Sequence, residues 1–572
     1  MNINKSKQFN FLLFIVLFAI LVRFYYLQIY QYKKYDYQAG LNSIRKINQN
    51  APRGIIYDRL GLPLVDNRPI YDIALIPFDI TSDFNYKIIS KELSISVEKI
   101  KNIVKKNKTS FNRFRPQILK RHVNFQTRSK LEEFKLELPG VFFKEFPARM
   151  YPNSARLTHV LGYLRTIKDY FPENELNYKV GDVYGFSGIE RVYEQSLRGR
   201  DGTKYHLIDI YGIDHGINEK NPGFPSIPGK ALNLTINSEL QSFIEGLFNE
   251  KTGSVICMNP LNGEVLAYLS SPDYDLNSFV GPVPIEIWDS WNQDANRPLL
   301  NRVIQGLYPP GSTMKIIGAA LALEDNIVDP YWEIKCNGEY KFGDRIFHCW
   351  NENGHNNVNM KKAIKESCNV YFYHLMQKLS FKDWAEMAID FGFGSKTNLD
   401  LYGEKNGLIP NREYMNKKYG KYGWAKGNLL TFIIGQGDIL VTPLQVVQMM
   451  NLIAGGGFSF EPKLNVKKSS KKIEVSLRSQ TLDFLEDSLW EVVNGTNGTG
   501  NLANVEGGKV YGKTGTAQNP HGEDHSWFAG YIEINKQTLV TLAVLVEHGG
   551  NGSVEAASIS NKIFNFIVKN DL

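Results

Sequence analysis

The feature that most constrains the fold is a punctuated segment, residues 309–315 (PPGSTMK), followed at once by the apolar run 316–323 (IIGAALAL). Two prolines and a glycine interrupt the backbone, and the apolar run behind them predicts a helix that is buried on all sides. Ser312 and Lys315 then lie three residues apart on one face of the first turn. The chain must therefore build a substantial core around this helix.

The spacing of Ser312 and Lys315 suits a nucleophile and its base. A serine hydroxyl is a weak nucleophile at neutral pH, and a neighbouring amine activates it only when that amine is unprotonated. Burial and a nearby positive charge both lower the pKa of a lysine, and the start of a buried helix can supply both. Because S-x-x-K also occurs by chance at solvated helix starts, the motif needs support from elsewhere in the chain.

Composition narrows the function classes. The chain has 572 residues, 43% of them hydrophobic, which predicts two or three domains with cores of their own. The net charge of +7 is spread along the chain, which favours a basic protein beside an anionic membrane or polymer and gives nucleic-acid binding little support. Four cysteines are too few for a disulfide-rich scaffold.

A membrane anchor is predicted from residues 9–22 (FNFLLFIVLFAILV), an uncharged apolar run bounded by Lys7 and Arg23. Large aromatic residues follow the run, where a cleavable signal peptide would need small ones, so we expect an uncleaved single-pass anchor. The flanking charges do not decide its orientation, but long domains translocate largely regardless of charge. We therefore expect a cytoplasmic tip and anchor (1–34) in the inner membrane, with the rest of the chain in the periplasm.

A non-catalytic pedestal is predicted for residues 35–228, an α+β stretch with a strand at 71–76 and an amphipathic helix at 97–104. Charged residues beside glycines at 53–61 and 185–190 indicate salt-bridged turns rather than a chemical site. The segment 221–229, rich in proline and glycine, marks a domain boundary.

Residues 229–572 are predicted to form an α/β (α+β) domain. A strand is expected at 231–236, hairpins at 254–269 and 527–547, and helices at 360–377 and 443–454. Strands at both ends with helices between them indicate an antiparallel sheet whose terminal strands pair across the domain, with helices on both faces.

Two further motifs support the first. Ser367-Cys368-Asn369 follows a helical stretch, and Lys513-Thr514-Gly515-Thr516 lies on a strand that enters the last hairpin. The set S-x-x-K, S-D-N and K-T-G is the motif set of penicillin-binding proteins and class A β-lactamases, and here Cys368 takes the middle position of the second motif. Chance is a poor explanation for all three together.

The chain resembles the class B penicillin-binding proteins, and among them the elongation type. The resemblance covers nearly the whole chain, including residues 53–61, 151–163, 188–202, 259–267, 301–315, 435–437, 442–445 and 513–516. It implies a serine D,D-transpeptidase that cross-links peptidoglycan stems ending in D-Ala-D-Ala and is acylated by β-lactams. It also implies a penicillin-binding transpeptidase domain behind an elongated pedestal that contacts other wall-building proteins, such as a RodA-type glycosyltransferase. Division-specific relatives share the motifs.

The resemblance implies roles for the first two motifs. Ser312 attacks the D-Ala-D-Ala carbonyl and becomes acylated, with Lys315 as general base. Ser367 relays the proton to the departing D-alanine, and Asn369 holds either the donor amide or Lys315. No cofactor is expected for catalysis.

The third motif is expected to bind the substrate carboxylate. Lys513 supplies charge, which should also help to keep Lys315 neutral, and Thr514 and Thr516 supply hydroxyls. Gly515 lets the strand approach the ligand closely. The backbone amides of Ser312 and Thr516 are expected to form the oxyanion hole.

The cysteines raise a separate hypothesis. Cys336, Cys349, His355 and Cys368 are spaced C-x12-C-x5-H-x12-C, a donor set suited to one structural Zn²⁺. Some relatives of this family carry zinc beside the active site. The alternatives are a Cys336–Cys349 disulfide and buried free thiols. Cys257 lies in an apolar strand and is expected in the core.

Three rival functions fit parts of the same motif set. A class A β-lactamase would need a deacylating glutamate in an E-x-x-x-N loop, and residues 413–416 (EYMN) have the wrong spacing. A carboxypeptidase of the same fold stays open on the motifs alone. A β-lactam receptor should carry cytoplasmic output segments, and few residues precede the predicted anchor.

Overall fold

The computed structural model describes residues 3–35, 44–108, 113, 116–152, 155–167, 178, 180–208, 214–281, 283–520, 522–535 and 538–571. The chain forms two compact units that interleave along the sequence. The first unit comprises Met1–Arg53, Arg68–Ala148 and Arg198–Gly229, and the second comprises Gly54–Asn67, Arg149–Leu197 and Lys230–Leu572. Two segments of the predicted pedestal therefore fold with the C-terminal domain, and the linear divisions 1–34, 35–228 and 229–572 stay predictions.

The N-terminal apolar run lies within a helix, Ile3–Tyr25, that continues as a π-helical turn, Tyr26–Tyr30. In the part of the chain that the structure describes, Ser6–Tyr30 is the one helical span long and apolar enough to cross a membrane, with a mean hydropathy of 2.2. Its apolar side chains are exposed, which suits a helix of a length and composition able to cross a membrane.

The first unit contains strands of two sheets, and its small core lies between the second of these sheets and three helices. In one sheet, Gly202–Ile208 pairs with Ile44–Gln49, with Gly223–Phe224 and with Asp214–Ile217. Residues 71–75 of the Pro63–Leu75 strand pair with Gln117–Val123, which confirms the strand predicted there. The remaining elements of this unit are the helices Tyr86–Leu93, Val97–Lys108 and Phe125–Glu133, the 3-10 turns Pro77–Asp79 and Lys135–Glu137, and most of the strand Val141–Met150. The helix at Val97–Lys108 was also predicted.

The second unit contains the charged turns predicted at 53–61 and 185–190. Asp58 accepts hydrogen bonds from the amides of Leu60 (2.9 Å) and Leu62 (2.8 Å) and from the hydroxyl of Ser238 (2.6 Å). Arg149 Nε pairs with Glu190 Oε1 at 2.6 Å, and both side chains are buried. Glu190 therefore forms a salt bridge, as predicted, but within a short helix, whereas Asp58 stabilises its turn through hydrogen bonds.

Short elements surround these turns in the second unit. They are the strands Ile56–Tyr57, Leu232–Asn233, Leu164–Thr166 and Val183–Gly185 and the helices Thr158–Leu161, Gly188–Val192 and Glu194–Leu197. The strand predicted at 231–236 is reduced to Leu232–Asn233, which pairs in parallel with Ile56–Tyr57, because the residues after Asn233 make only an isolated bridge.

The core of the second unit is a five-stranded antiparallel sheet. Its order is Val265–Ser271, Gly253–Met258, Thr538–Val546, His525–Ile534 and Lys509–Ala517. Both predicted hairpins are present, and the two hairpins join where Gly253–Met258 pairs with Thr538–Val546. The terminal strands of the domain therefore pair across it, as predicted.

Helices cover both faces of this sheet. Thr541 donates to Asn451 in the Pro443–Ala454 helix, whereas Phe528, which lies opposite Val544, packs on Phe564 in the Glu555–Lys569 helix. Thr541 and Val544 are three residues apart on one strand and so point to opposite faces. The other helices are Ser238–Leu247, Ile285–Gln293, Lys315–Glu324, Met360–Lys365, Asn369–Met376, Phe381–Asp390, Arg412–Tyr419, Lys426–Ile433 and Ser479–Asn494.

Small hairpins and 3-10 turns complete the second unit. The paired strands are Ile334–Cys336 with Asn356–Val358, Glu339–Phe342 with Arg345–His348, and Phe458–Phe460 with Lys472–Glu474. The 3-10 turns are Leu276–Phe279, Gly311–Met314 and Asn501–Ala503.

Candidate active site

The predicted nucleophile lies just before the buried helix. Ser312 belongs to a 3-10 turn, Gly311–Met314, that leads directly into Lys315–Glu324. Ser312 is half-buried, whereas Lys315 and the apolar residues 316–323 are buried. The structure thus differs slightly from the prediction, because Ser312 precedes the α-helical turn rather than lying within it. Its hydroxyl remains accessible while the helix anchors the turn in the core.

Lys315 connects the first two motifs. Its Nζ donates to Ser367 O (2.7 Å), to Ser367 Oγ (3.0 Å) and to Asn369 Oδ1 (2.7 Å). Among the residues that the structure describes, no hydrogen bond joins Lys315 Nζ to Ser312 Oγ. Three acceptors match the three donors of an ammonium group, so these contacts stabilise the resting, protonated lysine.

Burial works against that protonated state. It lowers the pKa of Lys315 to about 8, although negative charge on Cys349 and Cys368 acts in the opposite direction. Burial also lowers the pKa of Lys513 far below its usual value, and the charge of Lys315 lowers it further. We expected the charge of Lys513 to act on Lys315, but burial is what depresses the pKa of Lys315.

Ser367 lies at a break between two helices. Met360–Lys365 and Asn369–Met376 replace the single helix predicted at 360–377, and Ser367 between them has φ = +54°. A left-handed conformation is strained for a serine, and such strain often occurs at functional sites. The conformation presents both the carbonyl and the hydroxyl of Ser367 to Lys315. Asn369 is oriented in turn because its Nδ2 donates to His348 O at 3.4 Å.

The third motif occupies the edge strand Lys509–Ala517. Lys513 is buried, and its Nζ donates to Thr514 O at 3.1 Å. Thr514 Oγ1 pairs with Thr499 Oγ1 at 2.8 Å, whereas the half-buried Thr516 accepts from the Gly552 amide at 3.2 Å. Thr516 Oγ1 also donates to Asn551 Oδ1, but at 3.5 Å this bond is longer than that of Thr514, so the Thr516 hydroxyl can turn more readily to a bound carboxylate.

Thr516 and the nucleophile turn approach each other closely. Gly311 has φ = +56°, and a Cβ built on it would lie 2.7 Å from Thr516 O and 3.1 Å from Thr516 N. A Cβ on Gly515 would lie 3.1 Å from Pro310 O, so this glycine admits the nucleophile segment, whereas we expected it to admit ligand. The backbone of Thr516 thus faces the turn that carries Ser312.

The fold therefore brings the three motifs together. Sequence reasoning missed three neighbours of the third motif, namely Thr499, Gln436 and Asn551. Gln436 Nε2 donates to Thr516 O at 3.0 Å, and Asn551 Oδ1 accepts from Thr516 Oγ1 at 3.5 Å. Asn551 and Thr499 lie in glycine-rich loops without a distinctive pattern; Gln436 lies in a segment that contributed only to the family resemblance.

The cysteine cluster lies directly behind the second motif. Cys336, Cys349, His355 and Cys368 are buried, and their ligand atoms all lie within 4.8 Å of one another. His355 Nδ1 is 3.6 Å from the sulfur of Cys336 and 3.5 Å from that of Cys349. The structure describes all four cysteines, and each is a free thiol, with Cys257 buried in the sheet as predicted.

The thiols of the cluster share protons. A hydrogen bond from Cys368 lowers the pKa of Cys336 to about 6 and that of Cys349 to about 3. The pKa of Cys368 is raised by the same contacts. Thiolates are the form that binds zinc, and three sulfurs with one imidazole nitrogen at these separations fit a tetrahedral ion with four protein ligands.

Comparison with known proteins identifies the family. Residues 253–569 match the penicillin binding protein transpeptidase domain, and residues 48–234 match the penicillin-binding protein dimerisation domain. The chain belongs to the penicillin-binding proteins. Among its relatives are the proteins named peptidoglycan D,D-transpeptidase MrdA of Salmonella typhimurium (31% identical, covering 97% of this chain and 94% of the relative) and Haemophilus influenzae (30% identical, 97% and 90%).

Two solved structures of penicillin-binding proteins are similar to this chain. The penicillin-binding protein PBP2 of Helicobacter pylori in complex with MreC has a TM-score of 0.79 at 28% identity, covering 91% of this chain and 99% of that one. PBP2 of Pseudomonas aeruginosa in complex with WCK 5153 has a TM-score of 0.68 at 28% identity, with coverages of 91% and 96%. The predicted fold class and the predicted serine D,D-transpeptidase of the elongation type are thereby confirmed.

Proposed function

We propose that Ser312 is the acylated nucleophile of this D,D-transpeptidase and Lys315 its general base, acting on peptidoglycan stems that end in D-Ala-D-Ala. The observation that carries the proposal is the contact of Lys315 with Ser367 and Asn369, 2.7–3.0 Å, at the foot of the turn that bears Ser312. Lys315 gives up its proton at a pH near neutrality because it is buried. It then accepts the proton of Ser312.

In the acylation step the Ser312 oxygen bonds to the carbonyl carbon of the penultimate D-alanine. The bond from that carbon to the terminal D-alanine nitrogen breaks. The proton taken up by Lys315 passes through the hydroxyl of Ser367 to the leaving amine, along the contacts that Lys315 already makes. An amine from a second stem peptide then attacks the acyl-enzyme, and Ser312 recovers its proton through the same groups.

Substrate binding falls to the edge strand. Lys513 and the hydroxyl of Thr516 hold the terminal carboxylate, whose negative charge raises the pKa of Lys513 and restores its ammonium form. The backbone amides of Ser312 and Thr516 form the oxyanion hole, and the contact of Gly311 with Thr516 supports this pairing. The Thr514 hydroxyl donates to Thr499 and so stabilises the strand rather than binding the ligand.

Labelling with fluorescent penicillin tests the assignment. The acyl group should map to Ser312 by mass spectrometry, and Ser312→Ala should lose the label while melting at the wild-type temperature. Ser553→Ala is a matched control, because this serine lies on a nearby loop. Label on Ser367, or label that persists in Ser312→Ala, would contradict the assignment. A cross-linking assay on nascent glycan then separates the transpeptidase from a carboxypeptidase.

We also propose that Cys336, Cys349, His355 and Cys368 hold one structural Zn²⁺. When bound, the ion would supply a fixed cross-link and no open position for water, because four protein ligands complete its coordination. Cys368 stands between Ser367 and Asn369, so a ligand bond at its sulfur would hold the strained backbone of Ser367. Binding free energy of a structural metal adds to folding free energy.

Elemental analysis tests the zinc proposal. The purified protein should carry about one zinc per chain, and Cys349→Ser should lose both the metal and thermal stability. Cys257→Ala, outside the cluster, is the matched control and should keep the zinc. A metal-free protein, or a Cys336–Cys349 disulfide in a peptide map, would refute the proposal.

We propose further that the enzyme works in cell elongation at the outer face of the inner membrane, held by the Ser6–Tyr30 span, and docks a RodA-type glycosyltransferase and other elongation proteins. Support comes from the relatives, since one solved structure pairs PBP2 with MreC and another is described as a peptidoglycan synthase complex. The first unit is the expected docking body.

A segment exchange tests this docking. Residues 77–139 can be replaced by those of a division-type relative, because the ends of the segment are held by the bond from Ile76 N to Gly140 O at 2.9 Å. The exchange avoids residues 54–67 and 149–197, which fold with the catalytic unit. Co-purification with the glycosyltransferase should fail while penicillin labelling persists. Unchanged association would exclude this segment as the docking surface.

A further inference from the structure

The loop 435–437 (GQG) makes none of the proposed contacts with the substrate. It follows the Lys426–Ile433 helix, and Gly435 and Gly437 have φ angles of +72° and +78°. These left-handed conformations, which glycine adopts readily, turn the chain sharply on either side of Gln436. Gln436 is half-buried, and its backbone amide donates to Thr431 O at 2.9 Å. The loop therefore presents one long amide side chain from a fixed backbone.

The backbone of the loop is fastened to the segment before the nucleophile. Gly311 N donates to Gly435 O at 3.0 Å, and a Cβ on Gly435 would lie 2.0 Å from Gly311 O. Further along, Tyr308 and Val441 exchange two backbone hydrogen bonds of 3.0 and 2.9 Å. Backbone hydrogen bonds therefore fix both Tyr308 and Gly311, at the two ends of the segment that leads to Ser312.

The side chain of the loop reaches the opposite wall of the site. Gln436 Nε2 donates to Thr516 O at 3.0 Å. In an antiparallel strand the N–H and C=O of one residue point to the same side. The Thr516 amide therefore points toward the free edge of the strand, where Gly311 lies, and the bond to Gln436 fixes its direction.

We propose that Gln436 is a positioning residue that sets the separation of the two oxyanion-hole amides, those of Ser312 and Thr516. One loop holds the first amide through backbone contacts and the second through its side chain. The inference rests on the function proposed above. It assigns Gln436 to the transition state rather than to ground-state binding, because the carboxylate is held by Lys513 and the Thr516 hydroxyl.

Gln436→Met keeps the length of the side chain but removes its donor. The acylation rate constant with benzylpenicillin should fall about ten- to a hundredfold, somewhat less than the loss of a whole oxyanion donor. The dissociation constant of the non-covalent complex should change less than about twofold, because ground-state contacts persist. Gln480→Met, an exposed glutamine in the Ser479–Asn494 helix, is the matched control.

The infrared band of the ester carbonyl in the penicilloyl-enzyme provides a readout that packing alone would not move. Weaker hydrogen bonding polarises the carbonyl less, so the band of Gln436→Met should shift to higher frequency. Gln436→Lys restores a donor and should recover most of the rate and the wild-type band.

The outcomes separate this inference from the proposed function. A wild-type rate in Gln436→Met, or a slower rate with an unmoved carbonyl band, overturns the positioning role of Gln436. Failure of Gln436→Lys to recover the rate, in a protein that melts normally, also overturns it. Wild-type enzyme that carries no acyl group on Ser312 refutes the proposed function instead.

Discussion

The pH dependence of acylation tests the proposed base directly. Burial lowers the pKa of Lys315 to about 8 from an ordinary value of 10.5. At pH 7 about one tenth of the lysine is then neutral, against about one part in 3,000 without the shift, a gain of about 300-fold in the active form. The acylation rate should rise about tenfold per pH unit below pH 7.5, level off above pH 8.5 and have its midpoint near 8.

The assay is the acylation rate constant at saturating fluorescent penicillin between pH 6 and 9, because the bound carboxylate then keeps Lys513 in its ammonium form and itself stays ionised throughout this range. Lys315→Arg should be inactive throughout, because a guanidinium keeps its proton at every pH in this range. Lys382→Arg is the matched control, since this exposed lysine pairs with Glu386 on its own helix.

Three results would refute the reasoning. A rate that does not vary between pH 6 and 9 would mean that no group with a pKa near 8 limits the reaction. A rate that still rises about tenfold per unit up to pH 9 would mean that burial does not shift the pKa of Lys315, so that the base must be sought elsewhere. Labelling of Lys315→Arg at the wild-type rate would have the same consequence.

Three further predictions follow from the geometry. Gly311→Ala should lower the acylation rate at least about tenfold, because its Cβ would lie 2.7 Å from Thr516 O; wild-type rates would contradict the close approach. Arg302→Met should lower the free energy of unfolding in urea by about 3–5 kcal/mol, because the buried guanidinium pairs with Glu547 at 2.9 Å; a loss below about 1 kcal/mol would contradict this. The mature protein should keep its N-terminus and need detergent for extraction, as mass spectrometry can check; a chain that starts after Tyr30 would mean cleavage.

The sequence predicted the parts of the site that are written as local patterns. The buried helix after Ser312, the edge strand with Lys513 and the pairing of the terminal strands all follow from periodicity and turn signals. It did not predict the break at Ser367. Ser367, Cys368 and Asn369 are weak helix formers, but weak propensity alone does not end a helix, and the contact of Ser367 with Lys315 exists only in the folded chain. Gln436 and Thr499 could not be predicted from the sequence for a related reason. Both act through hydrogen bonds made across the fold, and such bonds leave no trace in neighbouring residues.

The position of Lys509–Ala517 at the end of the sheet has a consequence for inhibitor resistance. A strand with one free edge recognises an extended peptide through its main chain, and main-chain groups are the same whatever the side chains are. An inhibitor that imitates the peptide backbone therefore binds atoms that substitution cannot delete. Mutations that spare the natural substrate must instead alter the supports of the edge, such as Gln436, Asn551 and Thr499, so resistant variants should carry their changes one layer behind the groups that touch the drug.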